Sequence, residues 1–323
     1  MKFGKWRYNR NMFDIFQMRQ LRRSRGIPGS RLPLFARLAT LAFFGITGSV
    51  LFIGLLFAWY AKDLPRPDKV KRSEGLSTVI LDRNGENLYD IFEDENRIPV
   101  KWEDIPQYLK DGTVAVEDKD FYRHQGLSSY GILRAIVNIF VFRNFQGGST
   151  LTQQLVKNVL LTQERTLPRK IKEAILSIQI ERKYKKDEIL QMYLNEAPYG
   201  GTAVGVESAS QYYFGKPAKE LGLTESAFLA GLPQAPSRYS PFGVDPKAHV
   251  WRTQQVLRRM REDGYISAIA ETEARKQLDT IKFNEDHSSL RAPHFVAYVK
   301  EQLVEKFGSK MVEGGGLRVT TTL

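Results

Sequence analysis

The residues that could do chemistry lie in four polar segments between positions 117 and 173. Two isolated carboxylates, Glu117 and Glu173, are each flanked by apolar residues at helical spacing. A glycine-rich helix start and several cations separate them. A reaction that removes the proton of a hydroxyl while an anion departs needs such a base and such cations. The segments are 117–126 (EDKDFYRHQG), 147–158 (GGSTLTQQLVKN), 165–170 (RTLPRK) and Glu173.

Glu117 is the candidate base. On a continuous helix, Val114, Glu117, Phe121 and His124 share one face, whereas Asp118 points elsewhere. Apolar neighbours disfavour a charged carboxylate, so its pKa rises toward the range in which it can take a proton from a hydroxyl. The alternative is a solvated charge cluster on a helix, as most charge runs are.

The glycine-rich segment predicts a capped helix that could hold an anion. Thr150 and Gln153 fit the capping-box pattern at the start of a helix over 151–161. The free N–H groups of a helix start attract an anion. A plain glycine turn is the alternative. One face of this helix carries Thr150, Gln154, Lys157 and Leu161, and Asn158 lies one turn beyond Gln154.

The basic segment that follows predicts a cationic wall. Pro168 indicates a helix start. Arg165, Arg169 and Lys170 could bind a pyrophosphate. Glu173 lies four residues after Arg169 and three after Lys170, a spacing at which it could orient these cations on a helix. The alternative is a ladder of surface salt bridges with little effect on stability.

The charge distribution indicates a membrane protein rather than a nucleic-acid-binding one. The net charge is +12, but residues 1–37 carry ten Lys or Arg against Asp14 alone. Residues 38–61 follow without a charged side chain, and about 20 apolar residues suffice to cross a bilayer. By the positive-inside rule, the N-terminus is cytoplasmic and everything after Lys62 is extracytoplasmic. A cleaved signal peptide is the alternative.

Beyond the membrane segment, the sequence predicts a stalk, a hairpin and a mainly α domain. Asn84 and Gly85 predict a two-residue turn between strands at 78–82 and 87–92. Helical periodicity dominates from there to about Lys306. Residues 317–323 alternate like a strand with no partner after it, which suggests a truncated chain.

In their order and spacing, these motifs resemble the glycosyltransferase module of the class A penicillin-binding proteins, the family 51 peptidoglycan glycosyltransferases. The resemblance spans about residues 76–250. The first motif is matched at Glu117, Asp118, Phe121, His124 and Gly126, the second at every position of 147–158, and the third at Arg169, Lys170 and Glu173; Tyr193 to Asn195 and 227–236 (AFLAGLPQAP) follow.

The resemblance implies polymerisation of lipid II into β-1,4 glycan strands, with inversion and release of undecaprenyl pyrophosphate. Glu117 matches the base that deprotonates the acceptor's 4-hydroxyl, and Glu173 matches the second essential carboxylate. On the family pattern His124 is structural, although a histidine could also act as a base. The expected substrate-binding residues are Ser149, Thr150, Gln154, Lys157, Asn158, Arg165, Arg169 and Lys170, and the expected structural ones are Asp118, Phe121, His124 and Gly126.

The implied fold is a lysozyme-like domain with a small membrane-proximal lobe and a short β-hairpin, preceded by one transmembrane helix. The expected partners are lipid II, the growing glycan strand, the inner membrane and a cell-wall synthesis complex. No cofactor is assigned; a divalent cation, Mg or Mn, could sit at the pyrophosphate. The expected divisions are a basic tail (1–37), a transmembrane helix (38–61), a stalk (62–75), the glycosyltransferase domain (76–250), and its C-terminal helices with the start of a linker (251–323).

Two departures from the family and two rival functions accompany this interpretation. No S-x-x-K or K-T-G motif of a transpeptidase occurs in the sequence, so we expect neither penicillin binding nor peptide cross-linking. The helices after Pro246 also exceed the length of monofunctional relatives. The rivals are a lysozyme-like enzyme that cleaves peptidoglycan and a catalytically silent membrane scaffold.

One apolar segment lies inside the domain. Residues 132–145 are apolar on most sides but too short to span a bilayer. A core helix is the simple interpretation. Because the substrates carry lipid tails, we expect this segment to enter the outer leaflet, with Arg134 and Arg143 at the headgroups.

Overall fold

The computed structural model describes a mainly α protein with few strands, as the sequence predicts. Its described residues are 34–62, 64–70, 76–92, 95–127, 149–161, 164, 166–243, 245, 247–284 and 292–323. Residues 1–33 of the basic tail, the apolar segment 132–145, Arg165 and part of the stalk lie outside them. The chain divides into two compact units, 1–59 and 60–323.

The first unit contains most of helix α1 (Leu34–Ala61). Within it, Phe35–Ala61 has a mean hydropathy of 2.2 and no burial in its most apolar stretch. At about 1.5 Å per residue this length exceeds the roughly 30 Å hydrocarbon core of a bilayer. By length and composition, it is the one helix among the described residues that could cross a membrane.

The second unit contains the predicted hairpin near its start. Strand β1 (Thr78–Leu81) pairs antiparallel with β2 (Asn87–Ile91). The predicted two-residue turn is wrong, because the Asp82 N–H closes a longer loop on the Glu86 carbonyl at 2.9 Å. Asp82 Oδ1 accepts the N–H groups of Asn84 and Glu86 at 2.8 and 2.7 Å, and Gly85 supplies the positive φ that the loop needs.

A strand from the far end of the sequence completes this sheet. Strand β6 (Arg318–Thr320) lies parallel to β1, with Val319 opposite Ile80. The sequence offered no partner after this strand, and the structure supplies one that precedes it by more than two hundred residues. The sheet packs on helices α11 (Pro293–Phe307) and α12 (Ser309–Gly314), around the apolar side chains of Ile80, Leu88, Ile91, Val296 and Val312.

The larger core of the second unit is helical and positions the candidate site. Helix α2 (Gln107–Glu117) packs against α7 (Leu223–Gly231) and α9 (Ala248–Glu262), while α3 (Leu151–Val159) packs against α4 (Leu167–Lys183) and α5 (Lys186–Glu196). One continuous buried cluster joins both groups. The other described elements are β3 (Asn96–Arg97), β4 (Pro198–Gly200), β5 (Ala203–Val204), α6 (Val206–Phe214), α8 (Pro236–Tyr239), α10 (Ala268–Gln277) and short 3₁₀ turns.

Two predicted helices differ from those in the structure. Helix α2 ends at Glu117, and Asp118 leaves it with φ −158° and ψ 74°. Phe121 and His124 therefore lie in turns, and the predicted helical face through them is wrong. Helix α3 ends at Val159 rather than at residue 161. Helix α4 begins as predicted, with Thr166 as its N-cap and Pro168 in its first turn.

Candidate functional site

Glu117 lies at the end of α2, where the chain leaves the helix beneath α3 and α9. Only 9% of its side chain is exposed. Gln154 Nε2 of α3 donates to Oε2 at 2.9 Å, and Arg252 Nη2 of α9 donates to Oε1 at 3.3 Å. Each carboxylate oxygen thus has one protein donor and keeps a lone pair for a substrate proton.

Burial raises the pKa of Glu117 above its ordinary value. The Gln154 hydrogen bond and the positive charges of Arg252 and Lys157 oppose this rise, and the neighbouring Asp118 adds to it. From the sequence we expected apolar neighbours on one helical face to raise the pKa of Glu117. The structure supplies burial by a different route, through helices packed over the end of α2.

Gln154 is held in one orientation by Tyr193. The buried Tyr193 hydroxyl of α5 donates to Gln154 Oε1 at 3.2 Å. Because that oxygen is an acceptor only, the amide nitrogen must face Glu117. The motif around Tyr193 was visible in the sequence, but its link through Gln154 to Glu117, the candidate base, was not.

Asp118 joins the first motif to the second. Its Oδ2 accepts the backbone N–H of Leu151 at 3.0 Å, and both of its oxygens lie within 3.0 Å of His124 Nε2. His124 Nδ1 accepts the Gly126 N–H at 3.2 Å, so the proton of the neutral ring lies on Nε2. Both ring nitrogens are thus occupied within the protein, which agrees with the structural role expected of His124.

The start of α3 is occupied by the protein itself. Thr150 and Gln153 form the predicted capping box, and Thr150 Oγ1 also donates to the Gly126 carbonyl at 2.8 Å. The carboxylate of Asp118 takes the place that we expected an anionic ligand to fill. Thr150 is fully buried, so its hydroxyl is not available to a substrate. In the structure Thr150 acts as the N-cap of α3.

Glu173 anchors a cation. Its side chain is 3% exposed, and Oε1 lies 2.5 Å from Lys170 Nζ, which also donates to Ser149 Oγ at 2.6 Å. Half of the Lys170 side chain remains exposed. Lys170 therefore bridges α4 to the segment before α3 while offering charge to solvent.

The remaining candidates with described side chains differ in their exposure. Lys157 is exposed and Asn158 is half-buried on α3. Arg169 donates to the Glu164 carbonyl rather than pairing with Glu173. Phe121 is buried beneath Lys186, whose Nζ lies 4.4 Å from the ring centre. Gly126 has φ +86° and lies so close to the Ser177 carbonyl that a Cβ would be 2.9 Å from it.

Arg252 is the residue that the sequence interpretation missed. It lies on the buried face of α9, among residues such as Thr253, Val256 and Met260. A cation at an apolar helical position was the available signal, because a buried Arg requires a partner. Burial lowers its pKa, and Glu117 opposes that shift.

The described residues do not form a metal site of their own. No group of three His, Asp or Glu side chains converges in the described part of the chain. Glu173 is already bound to Lys170 Nζ, and Glu117 is paired with Arg252. These carboxylates are engaged by cationic side chains, so they do not fit a protein-held divalent ion.

Comparisons with known proteins identify the family. A model described as Transglycosylase matches residues 84–261. Penicillin-binding protein 1A of Aquifex aeolicus (strain VF5) is 41% identical over 86% of this chain and 39% of its own length. Penicillin-binding protein 1A of Rickettsia bellii (strain RML369-C) is 38% identical over 90% of this chain and 37% of its own length. The crystal structure of Penicillin-Binding Protein 1A from Haemophilus influenzae aligns with a TM-score of 0.41 and 27% identity, over 76% of this chain and 26% of that one.

The chain thus spans less than two fifths of the length of these relatives. The matched region covers more than half of the chain and includes Glu117, Glu173 and Arg252. The resemblance inferred from the motifs is confirmed: this chain belongs to the transglycosylase family.

Proposed function

We propose that this chain is a peptidoglycan glycosyltransferase that polymerises lipid II into β-1,4 glycan strands. One observation carries the proposal: a buried carboxylate, Glu117, is held by two donors, and its pKa is raised. The exposed cations Lys157 and Lys170 lie on α3 and α4. A base whose pKa is raised suits a hydroxyl nucleophile, and nearby cations suit a pyrophosphate leaving group.

In the proposed reaction, the acceptor's 4-hydroxyl attacks the anomeric carbon of the donor. The new O4–C1 bond forms as the bond from C1 to the pyrophosphate oxygen breaks, and that electron pair leaves with the pyrophosphate. The hydroxyl proton passes to Glu117. Attack from the face opposite the leaving group converts an α linkage into a β linkage.

The leaving group needs charge stabilisation rather than an acid. Pyrophosphate is a good leaving group, unlike the alkoxide that a glycosidase must protonate. Lys157, Lys170, Arg165 and Arg169 would supply positive charge, and an arginine can bind a phosphate in bidentate fashion. Ser149 and Asn158 would contact the same group. The contact from Glu173 to Lys170 supports a role for Glu173 in holding that cation in place.

A divalent cation, Mg or Mn, would be bound chiefly by the pyrophosphate, because the described carboxylates do not fit a metal site. The mechanism proposed here uses no step through it. Activity measured with and without a chelator tests this point.

The proposed location is the inner membrane, with α1 as a single span and the N-terminus in the cytoplasm. Its length, its apolar composition and the basic tail before it support this topology. The domain would then meet lipid II and the growing glycan strand outside the cytoplasm, in a cell-wall synthesis complex. The segment 132–145 would enter the outer leaflet.

The test is polymerisation of lipid II by the detergent-solubilised chain, followed on a gel. We expect glycan polymer from the native chain and a loss of about 10² to 10⁴-fold in rate with Glu117→Gln. Asp111→Asn, on the same helix, is the matched carboxylate control and should retain activity. Sugars released from finished glycan would instead indicate a hydrolase, and no reaction with either substrate would indicate a scaffold.

A further inference from the structure

Arg252 reaches Glu117 from a helix that begins more than 130 residues later in the sequence. Its Nε donates to the Gly231 carbonyl at 3.0 Å, and its Nη2 donates to Glu117 Oε1. The guanidinium carbon lies 5.5 Å from the centre of the Tyr239 ring. Because the guanidinium is planar and rigid, the bond to Gly231 fixes the plane in which Nη2 points.

The groups around Glu117 make Arg252 its only buried cationic neighbour among the described residues. From α3 come the neutral Gln154 and the cation Lys157, whose charge is exposed and therefore screened by solvent. From α5 and β4 come the phenols of Tyr193 and Tyr199. Asp118, next in the chain, contributes a negative charge.

We propose that Arg252 is a positioning residue for the glycosyl transfer, which acts on the substrate only through the Glu117 carboxylate. It aims that carboxylate by binding Oε1, and its charge keeps the buried base ionised before each transfer. This inference rests on the proposed function of Glu117 as the base.

The same charge also favours return to the starting state. Once Glu117 has taken a proton from the acceptor, Arg252 faces a neutral carboxyl group and loses a favourable interaction. Release of the proton restores the ion pair. Arg252 therefore favours the ionised base at the beginning of every cycle.

The experiment measures polymerisation rate against pH for the full detergent-solubilised chain and three variants. Arg252→Gln removes the charge, and Arg252→Lys keeps it but loses the planar fork. Gly231→Ala keeps the arginine but displaces it, because a Cβ would lie 2.9 Å from Arg252 Cγ. Arg258→Gln is the control, since Arg258 is exposed on the same helix and contacts Gln255.

We expect Arg252→Gln to lower kcat at neutral pH by about 10 to 100-fold and to move the acid limb of the profile to higher pH by about one unit. Arg252→Lys should keep the acid limb near its native position while lowering kcat at every pH. Gly231→Ala should lower kcat without loss of charge, and Arg258→Gln should change it less than about twofold. An Arg252→Gln profile lowered equally at all pH values, or unchanged, would overturn the proposal.

A thermal double-mutant cycle separates this inference from the proposed function. Tm is measured for the native chain, Glu117→Gln, Arg252→Gln and the double variant. Shifts that do not add show that Arg252 acts on Glu117, even if the chain proves inactive on lipid II. Additive shifts overturn the inference, whatever the activity.

Discussion

The carboxylate of Asp118 binds the backbone N–H of Leu151 at 3.0 Å, which ties the end of α2 to the start of α3. The same carboxylate accepts the His124 ring N–H. Glu117 belongs to the first of these helices and Gln154 to the second. Asp118 therefore sets the distance between the candidate base and the amide that orients it.

Asp118→Asn should weaken both the fold and the activity. Oδ2 accepts from both Leu151 and His124, and an amide oxygen could take its place, but the NH2 group would then replace Oδ1, which lies 3.0 Å from His124 Nε2. Two donors would face each other in a buried site, and the negative charge that strengthens both hydrogen bonds would be lost. Hydrogen bonds to a charged group are each worth about 1.5 to 3 kcal/mol, so we expect a loss of about 3 kcal/mol in the free energy of unfolding. Denaturant titration and the lipid II assay measure the two effects. Unchanged stability would contradict the structural role of Asp118.

Gly126→Ala should destabilise the protein more than Gly85→Ala. Both glycines have nearly the same positive φ, +86° and +87°, which costs an alanine about 1 to 2 kcal/mol. A Cβ at Gly126 would also lie 2.9 Å from the Ser177 carbonyl oxygen, whereas no atom lies within 4 Å of one at Gly85. We therefore expect a total loss of about 3 kcal/mol at Gly126. Equal losses of Tm in the two variants would mean that the close approach of Gly126 to Ser177 of α4 is unimportant.

Tyr193→Phe should lower kcat while leaving KM nearly unchanged. The variant frees the Gln154 amide to rotate, so its oxygen can face Glu117 and repel the carboxylate. The lost hydrogen bond costs about 1 kcal/mol of stability. Tyr213→Phe is the control, because this buried hydroxyl donates instead to the Tyr199 carbonyl at 2.9 Å. Tyr213→Phe should lower the stability by a similar amount but leave kcat nearly unchanged. A loss of kcat in Tyr213→Phe as large as in Tyr193→Phe would argue against a specific role for Tyr193.

Glu117 should make stability depend on pH in a definite direction. Burial raises its folded-state pKa above the ordinary 4.5. At pH values between the unfolded-state pKa and the raised folded-state pKa, the folded state binds more protons than the unfolded chain. The contribution of Glu117 to the free energy of unfolding therefore falls as pH rises. The variant Glu117→Gln lacks this component. We therefore measure the free energy of unfolding of Glu117→Gln and of the native chain at several pH values. The value for the variant minus the value for the native chain should increase from pH 4.5 upward, until the raised pKa is passed. A difference that does not depend on pH would contradict the raised pKa.

The sequence by itself determined the features that depend on near neighbours. The capping box at Thr150, the start of α4 at Thr166 and the apolar helix α1 follow from hydrogen bonds or burial patterns within a few residues. The order of the motifs also identified the family and the two carboxylates. Helical periodicity failed just beyond Glu117, because Asp118 gains more by binding Leu151 and His124 than by continuing the helix.

Only the tertiary structure decided which distant groups meet. It placed Arg252 on Glu117, the anionic side chain of Asp118 on the start of α3, and β6 beside β1. Such contacts depend on how whole helices and strands pack, and no spacing in the sequence encodes them. The sequence thus pointed to Glu117 as the candidate base, while packing supplied the burial and the donors that govern its ionisation.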